Sequence, residues 1–564
     1  MSTSDPFSTN LSDFSDFGKK DLQGLIDPSV IASLAGELFG PLPTNGGVDE
    51  LILSNSVSSS KPTTQSAAPI ETGKILQSGY GLDVHQSDYK RIPEEFLPGA
   101  SLPSFPGSLT STNVGVPAPT FSTSFSFLED IRSFVPQAQG IQINDPFRFQ
   151  PSVTPNIDIS SLKKDFPILK EKINGRDLVW LDNAATTHKP QSVIDRISAF
   201  YEHENSNIHR GAHTLAARAT DAYEAAREKT AGFLNASSTK EIVFVRGATE
   251  AINLVAQTWG AKNIGKDDEI IITWLEHHAN IVPWQMLCAQ KGARLKVVPV
   301  DDLGQVILTE YERLLSPRTK LVSLTQVSNA LGTVTPAAQM VAQAHHFGAK
   351  VLVDGAQAVS HMPIDVQALD CDFYVFSGHK VFAPTGIGVL FGKSEVLESM
   401  PPWQGGGNMI EDVTFEKTVY QSAPFRFEAG TGNIADAVGL GAAIDYLNQI
   451  GMQNVADYEH SLLEYGTSQL QRVPGLRLIG TAKEKAGVLS FVLDGFKTED
   501  VGRFLNQEGI AVRSGHHCAQ PILRRFGLES TVRPSLALYN TCEDIDALIN
   551  ALFDLRGGRT AGPL

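Results

Sequence analysis

The chain has 564 residues, 42% of them hydrophobic and 19% charged, with a net charge of −16. That acidity excludes a general nucleic-acid-binding role, which needs a basic surface, and no apolar run is long enough to span a bilayer. Four cysteines (Cys288, Cys371, Cys518 and Cys542) do not make a disulfide framework and fit a reducing, cytoplasmic setting.

Residues 1–155 differ in composition from the remainder of the chain. They hold 16 of the 31 prolines, 8 Lys+Arg against 16 Asp+Glu, and no cysteine. The opening MSTSDPFSTNLSDF lacks the basic and apolar pattern of a leader peptide. Stretches such as SNSVSSSKPTTQSAAP (54–69) show no helical or strand period, so mainly disordered chain is expected. Phenylalanine recurs in short acidic or proline-flanked contexts at 5–7, 12–17 and 145–149. In DPSVIASLAGELFG (27–40), Asp27 and Pro28 suit a helix start, and Val30, Ile31, Leu34 and Leu38 would share a face. Such anchors in a disordered chain suit docking into a partner's groove.

From residue 156 strands and helices alternate. Strand-like runs are EIVFV (241–245), DEIIIT (268–273), LKVVPV (295–300), KLVSLT (320–325), KVLVD (350–354) and DFYVF (372–376). Helical patterns lie between most of them, as in 219–235. Continuous apolar strands separated by helices predict an α/β fold with a mainly parallel central sheet covered by helices. The expected large domain covers about 176–420 and a smaller C-terminal α/β domain about 435–556. The last helix is marked by a capping box at Thr541 and Asp544, with Ile545, Leu548, Ile549, Leu552 and Phe553 as its apolar stripe.

In open α/β sheets ligands bind beyond the carboxyl ends of the strands. Asp354 stands at one such end, and Ser377, His379 and Lys380 follow at the next. Between strand and helix, Gly247, Ala248 and Thr249 leave backbone N–H groups suited to a phosphate. A carboxylate, an amine and an anion cradle are what pyridoxal 5'-phosphate requires: a partner for its pyridine nitrogen, a Schiff-base lysine and a phosphate site. The stretch RSGHHCAQP (513–521) also suggests zinc ligands. Adjacent residues rarely converge on one tetrahedral ion, and no metal site is expected. Cys288, Cys371 and Cys542 read as inert buried thiols.

These residues sit in motifs that carry a family resemblance. WLDNAATTHKP (180–190), NIHRGAHTLA (207–216), VRGATEAINLVA (245–256), EHHANIVPWQ (276–285), QVSNALGTV (326–334), VDGAQAV (353–359), FSGHKVFAPTGIG (376–388), PPWQGGGNMI (401–410), RFEAGTGN (426–433), RSGHHCAQP and VRPSLALYNT (532–541) follow one another in order. Residues 156–556 resemble a group II, SufS-type cysteine desulfurase of the class V aminotransferase family, with pyridoxal-phosphate fold type I. The resemblance implies that Lys380 binds the cofactor and moves the substrate Cα proton, that Asp354 pairs with the pyridine nitrogen, and that Gln357 faces the ring oxygen. It implies His278 stacked on the ring and Thr249, Ser377 and His379 on the phosphate, joined by Thr431 from the second subunit of a homodimer. Arg533 and Asn329 would bind the substrate carboxylate. Cys518 would attack the sulfur of L-cysteine, keep it as a persulfide and release alanine, with its thiolate favoured by His516, His517 or Arg513.

His277 is expected to be a packing neighbour of His278, and His209 and Arg210 are even candidates for the site or for fixing their loop. The sequence departs from the family pattern at Ala248, Ala383 and Gly432. Selenocysteine lyase or cysteine sulfinate desulfinase chemistry, with the extension as a mere solubilising tail, is the competing reading. The extension itself resembles those of cargo enzymes packed in encapsulin nanocompartments. A small sulfur-acceptor protein is a further expected partner.

Overall fold

The computed structural model describes residues 158–209 and 212–558. The expectations placed on residues 1–155 and on Arg210 lie outside the described residues.

The central sheet has seven strands: β1 (Ile242–Val245), β2 (Glu269–Thr273), β3 (Arg294–Val298), β4 (Thr319–Thr325), β5 (Lys350–Asp354), β6 (Phe373–Ser377) and β7 (Gly388–Gly392). Their order is β1-β7-β6-β5-β4-β2-β3. All pairings are parallel except those of β7, which runs antiparallel to both β1 and β6. The mainly parallel sheet expected from the apolar runs is present. Every residue of β1, β2, β6 and β7 is buried, as strands covered on both faces must be. The edge strand β3 keeps exposed residues.

Two apolar clusters cover the two faces of this sheet. One gathers Phe244, Ile271, Val322, Val351 and Phe376 with helices α1 (Thr214–Leu234) and α2 (Ile434–Ile450). The other gathers Val243, Ile270, Leu321, Leu352 and Val375 with the helix at 248–255. Neighbouring residues of one strand, such as Val243 and Phe244, fall into different clusters because side chains alternate across a strand.

A third cluster lies in the C-terminal part. It holds Leu462, Leu489, Phe491, Val501, Leu505, Val532, Leu548 and Leu552. A four-stranded antiparallel sheet includes the strands Arg513–Gly515 (β8) and Thr531–Arg533 (β9). The short run Ile510–Ala511 pairs in parallel with Val179–Trp180, so the start of the expected large domain contributes to this smaller layer. The last helix, Cys542–Arg556, begins with the capping box of Thr541 and Asp544. Ile545, Leu548, Ile549 and Leu552 are buried, whereas Phe553 is 39% exposed. Phe553 follows Leu552 directly and is turned about 100° from it on the helix, beyond the buried stripe. Cys288 and Cys371 are buried, but Cys542 is exposed. As the first residue of the last helix, it lies outside the helix's packed face.

Candidate active site

Six of the seven strands end on one side of the sheet, and the segments leaving five of them line a cavity of about 460 Å³. That is the size of a small-ligand pocket. The end of β5 contributes Asp354, followed by Ala356 and Gln357; the end of β6 contributes Ser377, His379 and Lys380. The turn after β1 brings Ala248 and Thr249, β4 ends at Thr325 with Asn329 beyond it, and β2 leads to His277. From the smaller layer come Arg513 on β8, Arg533 on β9, and His517 and Cys518 from the loop between them.

Burial sets the protonation of these groups. It pushes the Lys380 amine down to about 8, with Asp354 opposing the shift. The Asp354 carboxyl is raised by its own burial, and its Oδ1 accepts from the Ala356 N–H at 3.0 Å. Burial and the nearby Lys380 hold the imidazole of His379 down at about 4, and that of His277 at about 3. The Arg533 guanidinium, 2% exposed, is lowered by burial to about 10 and remains charged at neutral pH. Its Nη1 donates to the Asn329 carbonyl at 2.9 Å and its Nη2 to Asp182 Oδ1 at 3.4 Å.

The cavity fits pyridoxal phosphate on these residues. Lys380 and Asp354 share it with a turn whose backbone is closely packed: Ser377 Oγ accepts from the Ala248 N–H at 2.9 Å, and a Cβ on Gly247 would come 3.1 Å from the same oxygen. Arg533 Nε and Asn329 Oδ1 are buried and lack a protein partner, as expected where a ligand completes the hydrogen bonding.

Of the sequence-derived candidates, Thr249, Asp354, Gln357, Ser377, His379, Lys380, Asn329, Arg533 and Cys518 all line this cavity. Gln357 Nε2 donates to the Ala184 carbonyl at 2.6 Å. Two candidates stand elsewhere. The histidine lining the cavity is His277; the His278 ring instead lies parallel to His516, centroids 6.0 Å apart. His277 is extended and caps the short turn that begins at His278, its Nδ1 accepting from the Ala279 N–H. An extended residue and its neighbour point to opposite sides, which exchanges the parts expected of the two rings. Thr431 is exposed in a separate cleft of about 560 Å³, 3.4 Å from Asn207 Oδ1.

His209 lies outside the cavity lining; it pairs with Glu224 at 2.8 Å and stacks edge-on against Phe425. His517 cannot supply a positive charge to Cys518, because burial depresses its imidazole to about 2. Thr186, which donates to the His379 carbonyl at 3.0 Å, and the fully buried Glu276 were not singled out from the sequence. Glu276 follows the end of β2, so the strand-end rule contained the signal for it. Its carboxyl is pushed up to about 8 by burial while it accepts from Thr273, Asn280 and the Thr325 N–H.

Comparison with known proteins identifies the family. The model of the family "Aminotransferase class-V" matches residues 179–548. A cysteine desulfurase of Synechococcus elongatus is 69% identical over 404 residues, 72% of this chain and 64% of that protein. One of Klebsiella pneumoniae (strain 342) is 53% identical over 395 residues, 70% of this chain and 97% of the relative. The crystal structure of the cysteine desulfurase CsdA from Escherichia coli superposes with a TM-score of 0.67 at 41% identity, covering 71% of this chain and 99% of that one. The chain spans less than two thirds of the length of several relatives: 64% of the Synechococcus protein, and 66% and 59% of two mycobacterial ones. With a matching family model over most of its described length and a cavity that joins a buried lysine to a buried aspartate, the chain belongs to the class-V aminotransferase family and takes pyridoxal phosphate as its cofactor.

Proposed function

We propose that the protein is a cysteine desulfurase of the group II type, converting L-cysteine to L-alanine and holding the sulfur as a persulfide on Cys518. One observation carries the reading: an exposed cysteine, Cys518, lines the same cavity as Lys380, Asp354 and Arg533. A transaminase would need no thiol there. Pyridoxal phosphate, when bound, supplies an electron sink that acidifies the substrate Cα–H and makes its sulfur electrophilic.

The chain's own residues do the rest. Lys380 would hold the cofactor, with Asp354 beside its pyridine nitrogen and Thr249, Ser377 and His379 on its phosphate. Gln357 would face the ring oxygen, and His277 rather than His278 would stack on the ring. Arg533 binds the substrate carboxylate through its unpartnered Nε, a charge-assisted bond in a dry setting. Lys380, with an amine near 8, accepts the Cα proton at neutral pH far more readily than an ordinary lysine. The Cys518 thiolate attacks the substrate sulfur. A sulfur–sulfur bond forms as the carbon–sulfur bond breaks, the bonding pair stays with carbon, and that carbon takes a proton to become alanine.

The test is the Cys518→Ala variant supplied with L-cysteine. Alanine formation should fall to background while the cofactor's absorbance is retained; alanine release at the wild-type rate would overturn the reading. Thr431, exposed and outside the cavity of its own chain, would serve the phosphate site of a second copy in a homodimer. The Phe-containing segments of residues 1–155 support a further role for that region, as the address that brings the enzyme into an encapsulin-type shell. A sulfur-acceptor protein would receive the persulfide.

A further inference from the structure

Cys518 sits on a backbone that its residue type disfavours. His517 and Cys518 have φ of 54° and 53°. Two successive residues with side chains in the left-handed region cost about 1 kcal/mol or more each, and such a turn persists only where its surroundings hold it. Five hydrogen bonds do so, the first closing the turn itself from the Ala519 N–H to the His516 carbonyl at 2.9 Å. Asn329 Nδ2 donates to the His517 carbonyl at 2.7 Å, and the His278 N–H donates to the Cys518 carbonyl at 2.8 Å. The Cys518 N–H donates to His516 Nδ1 at 3.1 Å. His517 Nε2 shares a hydrogen bond with Thr531 Oγ1 at 2.8 Å, at a threonine that is fully buried on β9 and outside the cavity lining.

The orientation of Asn329 follows from its partner. A carbonyl oxygen only accepts, so the amide must turn its NH₂ toward His517. The atom it leaves unpartnered is Oδ1, an acceptor that cannot bind a carboxylate. The NH₂ carries two N–H donors, so the second one and Arg533 Nε are the donors left for a carboxylate.

We propose that Asn329 and Thr531 are positioning residues for the nucleophile: they grip His517 by its carbonyl and by its ring, and so hold Cys518 in the left-handed turn facing the cavity. Asn329 belongs to the segment after β4 and Thr531 to β9, so the thiol is located by both layers of the fold at once. The proposal rests on Cys518 being the sulfur-accepting thiol, but its test reads the loop directly.

In the holoenzyme, iodoacetamide labelling of the Cys518 peptide is measured by mass spectrometry relative to the exposed Cys542. Thr531→Val keeps the volume and removes the hydroxyl; Asn329→Ala removes the other grip. Both should change the Cys518/Cys542 labelling ratio by about threefold or more, as local opening requires, and Thr531→Ser should restore it. For Thr531→Val, kcat should fall about tenfold with KM within about twofold, since misplacing a reacting group costs rate. An unchanged ratio in both variants, a Thr531→Ser variant as impaired as Thr531→Val, or a rise in KM alone would overturn the proposal. If Thr531→Val loosens the fold, seen as labelling of buried Cys288 or Cys371, the ratio in Asn329→Ala decides. Alanine formation by Cys518→Ala would strike at the function while leaving these ratios untouched, so the two failures are distinguishable.

Discussion

Single side chains in this site are set by burial more than by neighbouring charge. His277, His379 and His517 are driven neutral at physiological pH, so the positive groups that share the cavity with the thiol are Arg533, Arg513 and, before it captures the cofactor, Lys380. Lys380 shows the consequence for chemistry. Its amine titrates near 8 rather than at the ordinary 10.5, and only the neutral amine can capture an aldehyde. Reloading of the apoprotein with pyridoxal phosphate, followed by absorbance, should therefore speed up as pH rises through about 8 and level off by about 9. A rate still climbing tenfold per pH unit between 9 and 10 would show an unshifted lysine. The residue scale is also where the sequence was least informative. The pair His277–His278 offers two identical rings, and only the extended conformation of the first decides which one faces inward. Nor does the sequence show that Asn329 turns one of its donors to the His517 carbonyl.

At the scale of elements, the placement of Asp354, Ser377 and Lys380 was legible because a rule about strand ends applied to continuous apolar runs. The reversed strand β7 was not: GIGVLFG carries no mark of direction, and its antiparallel course follows from a tight return after Lys380 (Gly386, φ 76°). That return brings β7 hard against the phosphate turn. A Cβ on Gly388 would lie 2.4 Å from Gly247 Cα and 2.7 Å from the Phe376 carbonyl oxygen, both backbone atoms that cannot rotate away. Gly388→Ala should destabilise the protein by about 1–3 kcal/mol, the range for overpacking, and weaken cofactor retention by displacing the Gly247–Ala248 turn. Equilibrium denaturation and dialysis against buffer without cofactor would check both; an unchanged midpoint with full retention would show that the contact relaxes freely. Thr431, an exposed threonine on a loop, would meet the phosphate only from another copy of the chain.

The whole molecule joins an enzyme to a proline-rich, acidic stretch of 155 residues. Its Phe-containing segments lie outside the described residues, and among the described residues the lining of the cavity begins at Ala184. If they are an address, deleting residues 1–155 should abolish packaging on co-expression with an encapsulin-type shell protein while leaving alanine formation within about twofold, because no group of the cavity is removed; equal packaging of the shortened and full chains would end that idea. The central claim concerns the other part, that the sulfur of cysteine passes to one particular thiol. It is tested most directly by mass spectrometry of the four cysteine-containing peptides after the holoenzyme has met L-cysteine without reductant. The account predicts the mass of one added sulfur atom on Cys518, matched by one alanine released per protein chain in the first turnover. Alanine released with Cys518 unmodified, or the sulfur found on Cys542 instead, would contradict it.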